Sequence, residues 1–160
     1  ESVRMTFLVV RVRSDINVRH DIKKTMHSLN LTKVNHAVLV PNRPEILGML
    51  AKAKDYITWG EPSKETIESL IRERGKLMGD VPITDDLIKE STDFKGIASL
   101  ADALLSGGAD VKSVPNMKRV FRLHPPRGSK GWGGIKRSFV TGGALGNRGE
   151  AINSLVERML

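Results

Sequence analysis

Apolar residues follow two alternating periods over the first sixty positions. Met5 to Arg13 is rich in β-branched and aromatic residues, which predicts a strand. Ser14 or Asp15 can cap the helix that follows. In that helix Val18, Ile22, Met26 and Leu29 recur at helical spacing, with Arg19, Lys23, Lys24 and His27 off the stripe. Asn30 closes it. Lys33-Val34-Asn35 is a polar approach to a second strand, His36 to Val40, which Pro41 ends. Pro44 suits a first helical turn, and Glu45 sits at that helix's positive end. Ile46, Leu47, Leu50 and Ala53 form the predicted buried face, with Lys52 and Lys54 in the last turn. Tyr56 to Trp59 is a third strand, stopped by Gly60-Glu61-Pro62. The order β-α-β-α-β within residues 1–62 predicts an α+β core, a compact sheet with helices on one face.

The pattern then turns helical. Ser63 caps a helix carrying Ile67, Leu70 and Ile71, and Gly75 stops it. Thr84 opens a short helix with Asp85 and Asp86 in its first turn. Ile97, Leu100, Ala101, Leu104 and Leu105 fill one helical face before Gly107-Gly108. Residues 63–110 thus predict an acidic helical insertion docked on the core. Residues 111–160 form a third part, with a short strand at Val120 to Leu123 and then a basic glycine-rich extension. A last helix bears Ile152, Leu155, Val156 and Met159, with Asn147 and Glu150 as cap and N3 partner. No internal repeat occurs.

Charge sharpens this division. The 160 residues carry a formal net charge of +8 and are 39% hydrophobic, enough for one real core. Residues 1–60 hold ten Lys/Arg against five Asp/Glu, residues 61–110 six against eleven, and residues 111–160 ten against two. An acidic middle therefore separates two basic ends, which predicts that the ends share an anionic ligand while the middle faces elsewhere. Lys118 to Arg148 concentrates the effect. Eight cations, among them Arg122, Arg127, Lys130, Lys136, Arg137 and Arg148, meet no carboxylate there. Many glycines share the stretch, so it buries too little apolar surface to fold by itself. Such a segment reads as an extension laid along nucleic-acid phosphates.

Other chemistry finds little footing. Without cysteine there are no disulfides or thiolate metal sites, which is compatible with a reducing cytoplasm. No apolar run approaches the roughly 18 residues of a membrane span. The Phe7 to Val10 run before Arg11 reads as a strand and not a signal peptide, and the chain opens at Glu1 without Met, which suggests processing or trimming. His20, His27, His36 and His124 lack a metal-binding spacing, so surface or RNA-facing roles suit them better. The glycine cluster contains neither GxGxxG after a strand nor GxxxxGK[ST], so it reads as close backbone approach to phosphate and sugar, not as a nucleotide pocket. Asp85, Asp86, Glu90 and Asp93 are explained by helix dipoles and solvation. Tyr56 and Trp59 divide between base stacking and strand packing. Trp132, in a glycine-rich loop without strand or helix partners, is a candidate wedge against RNA or another protein. No cofactor, metal, membrane or small-molecule substrate is expected.

The run TMHSLNLTKVNHAVLVPNRPEILGMLAKAKDYITWGEPS resembles the ribosomal protein L-thirty family of the large subunit. The matching features are S-L-x-L at a helix end, K-V-N-H, a strand ending in V-P, and a helix with G-M-L-x-K. RLHPPRG, FVTGGALGNRGEAINSLVERML and ITDDLIKES are similar to the longer archaeal and eukaryotic members, the eukaryotic form being called L-seven. The resemblance covers nearly the whole chain. It implies a three-stranded antiparallel, ferredoxin-like sheet and no catalysis. It implies a structural constituent of the ribosome, cytoplasmic, bound to large-subunit ribosomal RNA near the 5S RNA region and to neighbouring ribosomal proteins. The Lys33-Val34-Asn35-His36 loop and the helix ending at Lys54 match RNA-contact positions of the short form. The candidate RNA-binding residues are Lys23, Lys24, Lys33, Asn35, His36, Lys52, Lys54, Arg122, His124, Arg127, Lys130, Trp132, Lys136, Arg137 and Arg148. The competing reading is a ferredoxin-like small-molecule-binding or enzymatic domain, and steep loss of affinity with salt, without turnover, separates the two.

Overall fold

A computed structural model describes residues 6–13, 16, 18–41, 43–92, 94–106, 117, 118, 120–126, 134–139 and 143–160, and for 134–137 the backbone. The strands are β1 (Thr6–Arg11), β2 (His36–Pro41), β3 (Ile57–Gly60), β4 (Phe121–Arg122), β5 (Gly134–Ser138) and β6 (Gly143–Asn147). The helices are α1 (His20–Ser28), α2 (Pro44–Lys52), α3 (Lys64–Arg74), α4 (Asp85–Ser91), α5 (Ile97–Ser106) and α6 (Ala151–Met159). Their centre is the expected antiparallel trio. β1 runs between β2 and β3, with Val10 opposite Ala37 on one side and Thr58 on the other.

The sheet is wider than three strands. β4 adds to the outer edge of β2, β6 pairs parallel with β3, and β5 lies beyond β6 in irregular register, giving the order β4-β2-β1-β3-β6-β5. All six residues of β1 are buried because both faces of the sheet are covered. Successive side chains of a strand point to opposite faces. Phe7 and Val9 accordingly join Met26 and Leu29 of α1 and Leu50 of α2. Leu8 and Val10 join Ile67 and Leu70 of α3, Leu100 and Leu104 of α5, and Ile152 and Val156 of α6. The first two helices thus share one face, and the other four helices cover the opposite one. Thr6 ties this second layer down by donating to the carbonyl of Leu104 at 2.6 Å.

Local chemistry sets most helix ends. At α1, Asn30 takes a positive φ of 64°, its N–H donates to His27 O, and Leu31 N–H donates to Met26 O. This is a Schellman closure, with Asn accepting the left-handed position. Ser63 Oγ accepts from Thr66 N–H, and Thr84 Oγ1 accepts from Leu87 N–H, capping α3 and α4. Asp85 reaches further, its carboxylate accepting from the Ile97 N–H that opens α5.

Four expectations need correction. The first helix starts at His20 after Arg19, and Ser14 and Asp15 lie outside the described residues. Leu47 is exposed, because Ile46, Met49, Leu50 and Ala53 make the i, i+3, i+4, i+7 face of α2 and Leu47 is one step off it. Lys54 stands in the turn after α2, which ends at Lys52. Asn147 ends β6, where its side chain accepts from Gly149 N–H in a turn, and the last helix begins only at Ala151.

Candidate nucleic-acid interface

One end of the sheet gathers residues that are far apart in sequence. β1 ends where β2 and β3 begin, so Arg11 faces Ile57 and the next pair on the other side is His36 with Arg122 of β4. Asn35 locks this corner through its backbone, its N–H donating to Arg11 O (2.9 Å) and its carbonyl accepting from Leu123 N–H (3.2 Å). It does so at φ 69°, a left-handed geometry that Asn tolerates better than most residues. The turn before β3 closes on the same rim, because Val12 and Arg13 N–H both donate to Tyr56 O and Arg13 Nη1 donates to Asp55 O. Lys33, Asn35, His36, Lys54, Arg122 and His124 therefore share one end of the molecule.

The rim is strongly electropositive. Lys33, Lys54 and Arg122 are exposed, and Asn35 and His36 are half-buried. Arg11 is buried beneath them, donating from Nη1 to Leu31 O at 2.8 Å and from Nε to Arg13 O at 2.9 Å. Burial, reinforced by Arg122, Lys33 and Arg11, pushes the His36 imidazole below its usual range, so it is neutral at pH 7. Asn35 Oδ1 and His36 Nδ1 are buried without a hydrogen-bond partner among the described residues. Tyr56 stacks under the Arg13 guanidinium at 5.1 Å, and Trp59 packs against the α1–α2 core.

The remaining candidates separate. Lys23 and Lys24 are exposed on α1, and Lys23 lines a cleft of about 60 Å³ with Arg11, His27 and Thr32. Lys52 stands 3.7 Å from Asp21, which also holds Arg19 at 2.6 Å. Arg127, Lys130 and Trp132 lie outside the described residues; Lys136 and Arg137 fall in β5, where only the backbone is described.

Arg148 is placed elsewhere, inside the protein. Its Nε donates to Thr58 Oγ1 at 2.9 Å, its Nη2 to Ala144 O at 2.8 Å, and its guanidinium covers the Phe139 ring at 4.9 Å. Burial pushes it down to about 10, which leaves it charged at pH 7. It pins β6 to β3. Arg74, Lys76 and Lys118 line a cleft with Arg122; Lys118 opens the basic stretch noted in the sequence, but none of the three is among the candidate RNA-binding residues. The first two belong to the acidic middle, and a charge count by segment hides them.

Among the described residues no cluster of His, Cys, Asp or Glu is arranged to hold a metal ion, and no helix is long and apolar enough to cross a membrane. The family described as "Ribosomal protein L30p/L7e" matches residues 7–57. The large ribosomal subunit protein uL30 of Methanopyrus kandleri is 46% identical over 149 residues, covering 93% of this chain and 100% of that protein. The uL30 proteins of Methanosphaera stadtmanae and Methanoregula boonei are 44% and 46% identical over 154 residues, covering 96% of this chain and 99% of each.

Proposed function

The chain belongs to the uL30 family of large ribosomal subunit proteins, and on that premise we propose that the rim where β1 meets β2, β3 and β4 holds ribosomal RNA. The protein is a structural constituent of the large subunit and performs no catalysis. Its place is the ribosome in the cytoplasm, among neighbouring ribosomal proteins and near the 5S RNA region, as the family resemblance implies.

The observation that carries the reading is the convergence of Lys33 and Arg122 over buried Arg11, with neutral His36 between them. Cations so grouped repel one another unless an anion comes between them. RNA supplies the anion as phosphate. It also supplies 2′-hydroxyl and base N–H donors, which suit the unpartnered acceptors of Asn35 and His36. Leaving such acceptors unmet costs about 1–3 kcal/mol each. Small side-chain rotations of these half-exposed residues present both acceptors to an incoming donor. Lys23, Lys24, Lys52 and Lys54 extend the contact along α1 and α2, and Arg127, Lys130, Trp132, Lys136 and Arg137 extend it through the basic segment. Arg148 serves the fold. The names of the relatives favour this reading over an enzymatic one.

The test is a salt titration against large-subunit rRNA and against an unrelated structured RNA of similar length. Lys33→Gln should reduce the magnitude of the salt slope by roughly 0.7–0.9, one phosphate contact. Asn35→Gly keeps the left-handed backbone and removes the side chain. It should reduce discrimination between the two RNAs at nearly constant slope. Wild-type affinity that ignores salt would refute the proposal.

A further inference from the structure

We propose that Arg74, Lys76, Lys118 and Arg122 form a second RNA site, a pocket for backbone phosphate held half-closed by Asp80; the inference rests on the RNA-binding reading above. The four cations and Val120 line one cleft of about 220 Å³ with Asp80, far more room than a single water needs. They come from three places. Arg74 is the last residue of α3, Lys76 begins the hairpin that follows, and Lys118 and Arg122 lie on the returning chain. The backbone knits these together. Lys76 pairs with Pro82 across the hairpin, Leu77 pairs with Met117, and Lys118 N–H donates to Lys76 O at 2.8 Å.

Asp80 is the single carboxylate among the described residues that line the cleft. It sits at the hairpin tip with φ 60°, next to Gly79 at φ 84°, and its Oδ1 takes Lys118 Nζ at 2.6 Å and Arg122 Nη1 at 3.4 Å. One negative charge thus faces four positive ones. Arg74 Nε is buried with no hydrogen-bond partner among the described residues. A fold has no stability reason to gather unmatched cations, since like charges in a shared cleft repel. A phosphodiester entering beside Asp80 gives Arg74 an acceptor and neutralises the excess. Because Arg122 also pairs with His36, the pocket continues the rim along β4. The acidic middle then takes part in RNA binding through its two cations at the end of α3.

The experiment uses the full chain and rRNA purified from the large subunit of Methanosphaera stadtmanae. Arg74→Gln with Lys76→Gln should lower the magnitude of the salt slope by roughly 1.4–1.8 and weaken binding roughly 30-fold at 0.1 M salt. Far-ultraviolet circular dichroism and thermal melting check that this variant folds. Asp80→Asn keeps a residue suited to positive φ and removes the competing charge. It should bind several-fold more tightly, the opposite of what a merely structural Asp80 predicts. If wild type binds with a steep salt slope but the Gln pair leaves the slope unchanged, or Asp80→Asn weakens binding, the pocket is refuted while the rim reading stands. If wild type itself shows no salt-dependent binding, the underlying reading fails first.

Discussion

Arg148 and Arg122 look alike in sequence, both cations in a stretch without carboxylates, yet one is buried and the other exposed. What separates them is a partner ninety positions away. Thr58 Oγ1 accepts from Arg148 and donates to Gly146 O at 2.8 Å, so strand, hydroxyl and guanidinium form one network. No local pattern announces a contact of that range, and a charge count gives both residues to the ligand. Arg148→Met keeps much of the bulk and removes the donors. Losing charged hydrogen bonds inside the fold should cost roughly 2–4 kcal/mol in urea unfolding. The salt slope for RNA should stay as in wild type. A slope reduced as much as in Lys33→Gln would return Arg148 to the RNA surface. Asn35 and His36 were named from the K-V-N-H run, and the structure adds their place on the rim and their buried, unpartnered Oδ1 and Nδ1.

At the scale of elements, legibility tracks periodicity. The helices other than α4 repeat apolar residues at helical spacing, β1 to β3 are dense in β-branched and aromatic residues, and α4 was read from Thr84 and its acidic first turn. β4 falls within the short strand expected at Val120 to Leu123, whereas β6 reads Gly-Ala-Leu-Gly-Asn, with neither alternation nor β-branched content. β6 is held by backbone pairing of Thr58 with Gly146 and Trp59 with Asn147, information that lies in β3 as much as in β6 itself. The glycine-rich stretch, expected to be wholly extension, therefore supplies a buried strand at its end, where Ala144 and Leu145 pack with Val12. Gly60 shows how closely this edge is fitted. A Cβ there would lie 2.1 Å from Gly149 O and 2.8 Å from Ile152 Cβ, both near the start of α6. Gly60→Ala should destabilise by roughly 1–3 kcal/mol through overpacking. Gly48, inside α2 with nothing within 4 Å of its would-be Cβ, gives the control. Gly48→Ala should stabilise by roughly 0.8–1 kcal/mol. Matched thermal and urea melts of the two variants check the pair, and equal shifts of one sign would contradict it.

For the whole molecule the question is where the negative charge of residues 61–110 goes. The sheet has two ends as well as two faces. The cationic rim proposed for RNA lies at Arg11, whereas Thr6, at the other end of β1, holds Leu104 of α5. Five residues of strand separate these ends by about 17 Å. That exceeds the Debye length of about 10 Å at 0.1 M salt, so charges at the α5 end are screened from the rim. Asp102 is exposed on α5 near that far end, and Asp80 is exposed inside the basic cleft. The segment is uniformly acidic by count and divided by position, which a one-dimensional tally does not reveal. Asp102→Lys should then leave RNA affinity within about twofold and the salt slope unchanged, because a charge beyond the screening length releases no counterion from the bound RNA. Asp85 would be a poor choice for this test, since its carboxylate caps α5 and pairs with Arg72, and its reversal would disturb the fold. Filter binding of Asp102→Lys beside wild type over a salt series decides the matter. A marked gain in affinity with a steeper slope would mean that RNA wraps to the α5 end and that the molecule is not polarised in this way.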